Sequence, residues 1–210
     1  MVTNTPEPTP LRDSRATRER ILDALGKMVM RDGLASIGVN PLAREVGCDK
    51  VLIYRYFGDL DGVFSAFAAR GDFWWSVEEL TGGIDPARVP LAGALKLVLR
   101  RHAHALRARP LTLAVLAAEL VDRTPLVIAL EAVRERRALQ LSAWTVEHYR
   151  LPPSLDFAAV SMILGVAVNY LAVRARTIRV MSGVKIETAA DWERVFAAME
   201  ALIDGILRAA

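Results

Sequence analysis

Residues 38–57, GVNPLAREVGCDKVLIYRYF, hold two amphipathic segments separated by Gly47-Cys48-Asp49. Neither is long enough to be a stable helix by itself, so both must pack on a third element. The preceding stretch supplies it. Ile21, Leu25, Met28 and Val29 recur along one face of a helix expected over residues 14–31, and Asp32-Gly33 ends that helix with a glycine suited to a left-handed cap. Asn40 is expected to cap the second helix, with Pro41 at its first position, and Gly47 to stop it. Asp49 caps a third helix over residues 50–56. In the second helix Leu42, Ala43 and Val46 face inward, and the small Ala43 allows the crossing helix to approach closely.

Strand periodicity is nearly absent elsewhere, and helical periodicity is broken by Gly and Pro clusters. A long fourth helix is expected over 60–80, followed by a loop at 81–86. Further helices are expected over 90–107, 110–121, 125–149, 155–179 and 189–208, with Pro110, Pro125 and Pro152-Pro153 at three of the breaks. The fold class is therefore all-α, with about nine helices, three short ones in front and longer ones behind. A composition of 53% hydrophobic and 24% charged residues is that of a globular chain. The organisation reads as a flexible tail over 1–13, where Pro6, Pro8 and Pro10 alternate with polar residues, a three-helix domain over 14–67, and a helical domain over 68–210.

Bulk charge decides little. The net charge is +3 over 210 residues, and residues 1–70 carry ten basic against nine acidic side chains. Any nucleic-acid argument must rest on local arrangement. The single cysteine, Cys48, excludes an intramolecular disulfide and a multi-cysteine zinc site, and fits a reducing, cytoplasmic setting. Residues 157–173 run without a charge, but the run is short for a bilayer and is interrupted by Ser161, Asn169 and Tyr170, so a buried helix is expected. No phosphate-binding loop, GxGxxG, HExxH or GxSxG is present, so the chain is not read as an enzyme. No cofactor or metal is expected. His102 and His104, two apart on a helix, diverge and cannot share an ion.

The third helix carries the functional argument. Ile53 and Phe57 take its core side, Val51 and Arg55 the outer side, and Leu52 and Tyr54 flank the latter, with Lys50 at its start. A helix exposing a cation, a tyrosine, an arginine and small apolar groups fits a DNA major groove. Arg55 can donate two hydrogen bonds to a guanine or grip a phosphate. Lys50 and Tyr54 suit phosphates, and Val51 or Leu52 a thymine methyl. Thr17 on the first helix and Arg44 on the second complete the candidate DNA contacts. A helix-turn-helix used only for packing is the bland alternative.

The run from Thr17-Arg18-Glu19-Arg20-Ile21-Leu22-Asp23-Ala24, through Leu42-Ala43-Arg44-Glu45-Val46-Gly47, to Cys48-Asp49-Lys50-Val51-Leu52-Ile53-Tyr54-Arg55-Tyr56-Phe57, resembles the N-terminal domain of TetR-family transcriptional regulators. The resemblance covers roughly residues 14–67. Leu52 stands where that family usually has Thr or Ser, Val51 where it has Gly or Ala, Leu60 where it commonly has a lysine, and Asn40-Pro41 at a more usual Thr-Val start. The resemblance implies a regulator, by default a repressor, that binds a palindromic operator as a homodimer and responds to a small molecule.

Two further sets of candidates follow. Phe73, Trp74, Trp75, His102, Trp144, Tyr149, Met162 and Asn169 could line a cavity for an apolar or aromatic effector, or simply form a core. In the last two helices, small residues including Ala159 and Gly165, together with Val166 and the stripe Trp192, Phe196, Met199 and Ile203, are expected at a dimer interface. A stripe buried within one protomer is the alternative. The competing function is a helical dimeric small-molecule-binding or adaptor protein that does not bind DNA, and the exposed Lys50, Tyr54 and Arg55 argue against it.

Overall fold

The structure is a computed structural model and describes residues 11–34, 37–70, 73–121 and 123–210. Among these are ten helices and one two-stranded hairpin. Helix α1 (Leu11–Asp32) begins three residues before the expected boundary, and the rest of the expected tail, residues 1–10, lies outside the described residues. Ile21, Leu25, Met28 and Val29 of α1 are buried as their spacing requires. They receive α2 (Val39–Val46) and α3 (Lys50–Phe57), whose Leu42 and Ile53 are fully buried.

Helix α2 starts earlier than its Asn40-Pro41 pair suggested. Gly38 is the N-cap, and its carbonyl accepts from the Leu42 amide at 2.9 Å. Pro41 therefore sits in the first turn, where a missing N–H removes no helical bond.

The expected long fourth helix is two helices, α4 (Leu60–Ala68) and α5 (Val77–Thr81). The cause is the run Phe73-Trp74-Trp75, of which all three residues are buried. On one helix three consecutive side chains fan through about 200°, so they cannot all enter one core. The chain leaves the helix to bury them. The Thr112 hydroxyl holds this segment by donating to the Phe73 carbonyl. Ser76 then caps α5, accepting from the Glu79 amide at 3.1 Å.

The remaining helices are α6 (Leu91–Arg107), α7 (Pro110–Ala118), α8 (Pro125–His148), α9 (Phe157–Arg174) and α10 (Ala189–Ala209). Helix α9 stops five residues before the expected end. Beyond it β1 (Val180–Met181) pairs with β2 (Val184–Lys185), Val180 opposite Lys185. Ser182 and Gly183 both take positive φ, 48° and 78°, as a two-residue primed turn demands. A capping box between Thr188 and Asp191 starts α10.

Helix α6 is central to the second half, packed by α9 on one side and α10 on another. Helix α4 packs against both α3 and α8, so it touches the front helices and the back ones. Trp192, Phe196, Met199 and Ile203 lie in the protomer's own interior. Arg100 covers the Phe196 ring at 4.8 Å while pairing with Glu193 and Glu200, and the Trp192 indole donates to the Ile186 carbonyl. These four are therefore core residues and not the interface expected of them, because α6 already occupies that side of α10. Helix α9 is long and apolar enough to cross a membrane by length and composition; it is not the buried helix expected, because Met162, Ile163, Val166 and Tyr170 leave one whole face uncovered in the protomer.

Candidate nucleic-acid interface

The turn between α2 and α3 is fixed by backbone chemistry. Gly47 takes φ +70°, its amide donates to the Arg44 carbonyl, and the Cys48 amide donates to the Ala43 carbonyl at 3.0 Å. These are the two bonds of a Schellman motif, which closes the end of α2. Asp49 then opens α3, its carboxylate accepting from the Val51 amide at 2.9 Å. Cys48 is half-buried against the core, where it fills space, and burial pushes its thiol pKa up, away from the reactive thiolate.

Three arginines of α1 hold the pair in place, and none had been singled out from the sequence. Arg18 donates to the Tyr56 carbonyl and lies 4.5 Å from the centre of the Phe57 ring. Arg20 donates to the Val46 carbonyl at 3.1 Å. Arg31 forms a fork to Glu45 at 2.9 and 3.2 Å and also pairs with Asp32, which lowers both carboxyl pKa values. The signal that could have found Arg18 and Arg20 is the open carbonyls at the end of any short helix, which a neighbouring guanidinium satisfies.

With Ile53 inside, the opposite side of α3 is free. Val51 is 61% exposed and Tyr54 48%, and Lys50 and Arg55 are exposed beside them. Arg55 rests over the Tyr56 ring at 5.1 Å and donates to its hydroxyl. Leu52 and Thr17 are half-buried, at the margin of this surface. Arg44 is exposed on α2 and lines an open groove with Asn40, Ala43, Gly47, Cys48, Asp49 and Lys50. Asp49 is committed to its cap and Glu45 to Arg31, so the cations Arg44, Lys50 and Arg55 dominate the charge presented here.

The expected pocket residues divide. Trp74, Trp75 and His102 pack together, with ring centroids 5.5 to 6.2 Å apart, and His102 Nε2 lies 2.9 Å from Asn169 Oδ1. Burial pushes the His102 pKa down to about 4, against a smaller opposing effect of Asn169 and the Gly165 carbonyl. Trp144 and Met162 lie elsewhere. Trp144 stacks on His148 at 4.8 Å and meets Tyr149 at the end of α8, where the Tyr149 hydroxyl donates to the Val89 carbonyl. Met162 is 62% exposed on α9 and does not join the cluster. On the same outer face stand Ile163, Val166 (58% exposed) and Tyr170, with Ala159 and Gly165 half-buried beside them. Among the described residues no group of three or more metal-ligating side chains occurs.

No profile of a known protein family matches the chain. Two curated HTH-type transcriptional regulators of Mycobacterium tuberculosis, from strains CDC 1551 and H37Rv, are 34% identical over 59 residues. That match spans 28% of this chain and 29% of each relative. Similarity to solved structures extends over nearly the whole chain. A TetR-family regulator of Haemophilus influenzae superposes with TM-score 0.63 at 17% identity, covering 91% of this chain and 98% of that one. NalD of Pseudomonas aeruginosa, the secondary repressor of a multidrug efflux pump, gives 0.61 at 17% identity, covering 93% and 97%. FadR of Bacillus halodurans, a regulator of fatty acid degradation, gives 0.62 at 13% identity, covering 95% and 96%.

Proposed function

We propose that the chain, which has the fold of the TetR-family transcriptional regulators, is a DNA-binding regulator that reads a palindromic operator as a homodimer and is released from it by a small molecule. The observation that carries this reading is the free side of α3, where Lys50, Val51, Tyr54 and Arg55 are exposed while Ile53 anchors the helix from behind. A rigidly seated helix with three cations at its margins suits a major groove. Arg55 would exchange the Tyr56 ring for a guanine edge or phosphate. Lys50, Tyr54 and Arg44 would meet phosphates, with Thr17 at the border, and Val51 would face a thymine methyl, with Leu52 beneath it.

The second copy has a natural seat on the outer face of α9. Met162, Ile163, Val166 and Tyr170 form an exposed apolar strip, Leu202 of α10 is also exposed, and a Cβ at Gly165 would meet nothing within 4 Å. Two such faces related by a twofold axis would cover one another. A dimer would place two α3 helices in successive major grooves, about one helical turn apart. Helix α4, in contact with α3 and α8 and joined to the Trp74-Trp75 segment, is the mechanical link between effector and groove. A coupling of about 1–3 kcal/mol suffices for such a switch. Repression is the proposed output.

The test begins with selection from a random duplex library, followed by titration of the recovered duplex at several salt concentrations. Arg55→Ala is expected to weaken binding by about 1–3 kcal/mol and to flatten the salt dependence, with the dimer intact by sedimentation. Recovery of no motif, or unchanged affinity in the variant, contradicts the reading.

A further inference from the structure

The interior of the helical half contains an imbalance that the fold leaves open. The indole nitrogens of Trp74 and Trp75 and the Nδ1 of His102 are buried, yet none has a hydrogen-bond partner in the protein. All three residues are more than nine-tenths buried, and they belong to one cluster of touching rings. Buried polar atoms are ordinarily paired, so three such atoms in one place mark a site built for something else. We propose that Trp74, Trp75, His102 and Asn169 form the recognition end of a site for an uncharged apolar molecule bearing a hydroxyl group. This rests on the ligand-responsive reading above and adds the chemistry of the ligand.

The bonding count specifies the group. Asn169 Oδ1 is an acceptor, so the proton of a neutral His102 sits on Nε2, and the buried Nδ1 carries the lone pair that has no partner. The unmet demand is then two donors, the indole N–H groups, and one acceptor. A hydroxyl offers one donor and two lone pairs. One hydroxyl oxygen can accept from both indoles while its proton goes to His102 Nδ1. A water would leave a second proton without a partner. A carboxylate has no proton to give Nδ1, and the only way to pair it here, by protonating His102, works against the burial that holds this imidazole neutral. The rings now touch, so the ligand takes its place by replacing part of that contact. Trp74 and Trp75 lie outside the helices, between α4 and α5, so their displacement breaks no helical hydrogen bond.

The experiment uses the full chain and four probes of one size: phenol, anisole, toluene and benzoate, titrated by calorimetry and by tryptophan fluorescence. Phenol is expected to bind at least about tenfold tighter than toluene or anisole, because only phenol satisfies acceptor and donors together. Benzoate is expected to give no saturable signal. In His102→Leu the preference for phenol over toluene should collapse. Should that variant not fold, nitrogen NMR of the wild-type imidazole serves instead, with Nδ1 remaining unprotonated and shifting on phenol addition. Benzoate binding as well as phenol, toluene matching phenol, or no saturation by any probe each overturns the proposal. The duplex selection on the same preparation is scored separately. A protein that recovers a DNA motif without hydroxyl preference loses this inference alone, and one that prefers phenol but recovers no motif loses the regulator reading.

Discussion

The outer side of α3 and the Trp74–Trp75–His102 cluster are opposite kinds of surface. On α3 the polar groups are exposed and the backbone beneath them is tied at both ends: Asp49 caps the start and Arg18 takes the Tyr56 carbonyl at the end. In the cluster the polar groups are buried and three of their atoms have no partner. The first arrangement costs the fold little, because water serves the exposed groups until a partner replaces it. The second costs about 1–3 kcal/mol for each unmet atom. A docking surface is thus kept at almost no expense in stability, whereas an interior recognition site is held at a standing loss that its ligand can recover.

That contrast can be broken or sharpened by mutation. The largest effect is expected at Phe196, fully buried in the protomer, where Phe196→Ala should lower unfolding free energy by about 3–5 kcal/mol in urea titrations. The loss should be the same at low and high protein concentration. A concentration-dependent loss would return Phe196 to the dimer interface. Next comes the pH response of the cluster. His102 stays neutral in the folded chain down to about pH 4, while in the unfolded chain it takes up a proton near 6.5. Its contribution is therefore complete above pH 6.5 and is lost as pH falls from 6.5 to about 4, amounting to up to about 3 kcal/mol. Urea titrations of wild type and His102→Leu across that window should diverge, and parallel curves would show that the imidazole is not held neutral. Smaller still is Asp49→Ala, expected to cost about 0.5–2 kcal/mol by calorimetric melting through loss of the α3 cap. Val51→Ser, on the exposed side, should change stability by less than about 0.5 kcal/mol, measured the same way.

What the sequence made legible follows the same division. The front helices obey local rules: Ile21, Leu25, Leu42 and Ile53 are buried at the spacing that predicts it, and Gly47 and Asp49 take the turn and cap that their chemistry favours. The Arg18 and Arg20 bonds were not legible, because they join residues 38 and 26 positions apart and depend on where helix ends meet. Farther on, periodicity misled twice. The helical pattern runs through residues 60–80, yet three adjacent aromatics cannot share one helical face, and the Ser76-x-x-Glu79 spacing is a start signal within the same stretch. In α10 the stripe from Trp192 to Ile203 was correctly apolar, but an apolar stripe does not say whether its partner is the same chain or a second one, and α6 is the partner. Trp74, Trp75, His102 and Asn169 do come together, whereas Trp144 and Met162 do not, since aromatic or flexible apolar character alone carries no address.

The most direct test of the account is residue-resolved NMR of the full chain titrated with the duplex recovered from selection. The account predicts that the largest changes fall on the backbone amides of Lys50 through Arg55 and the Val51 methyls, while the methyls of Phe196's neighbours in the core stay still. Changes centred on any other surface, with α3 undisturbed, would contradict it.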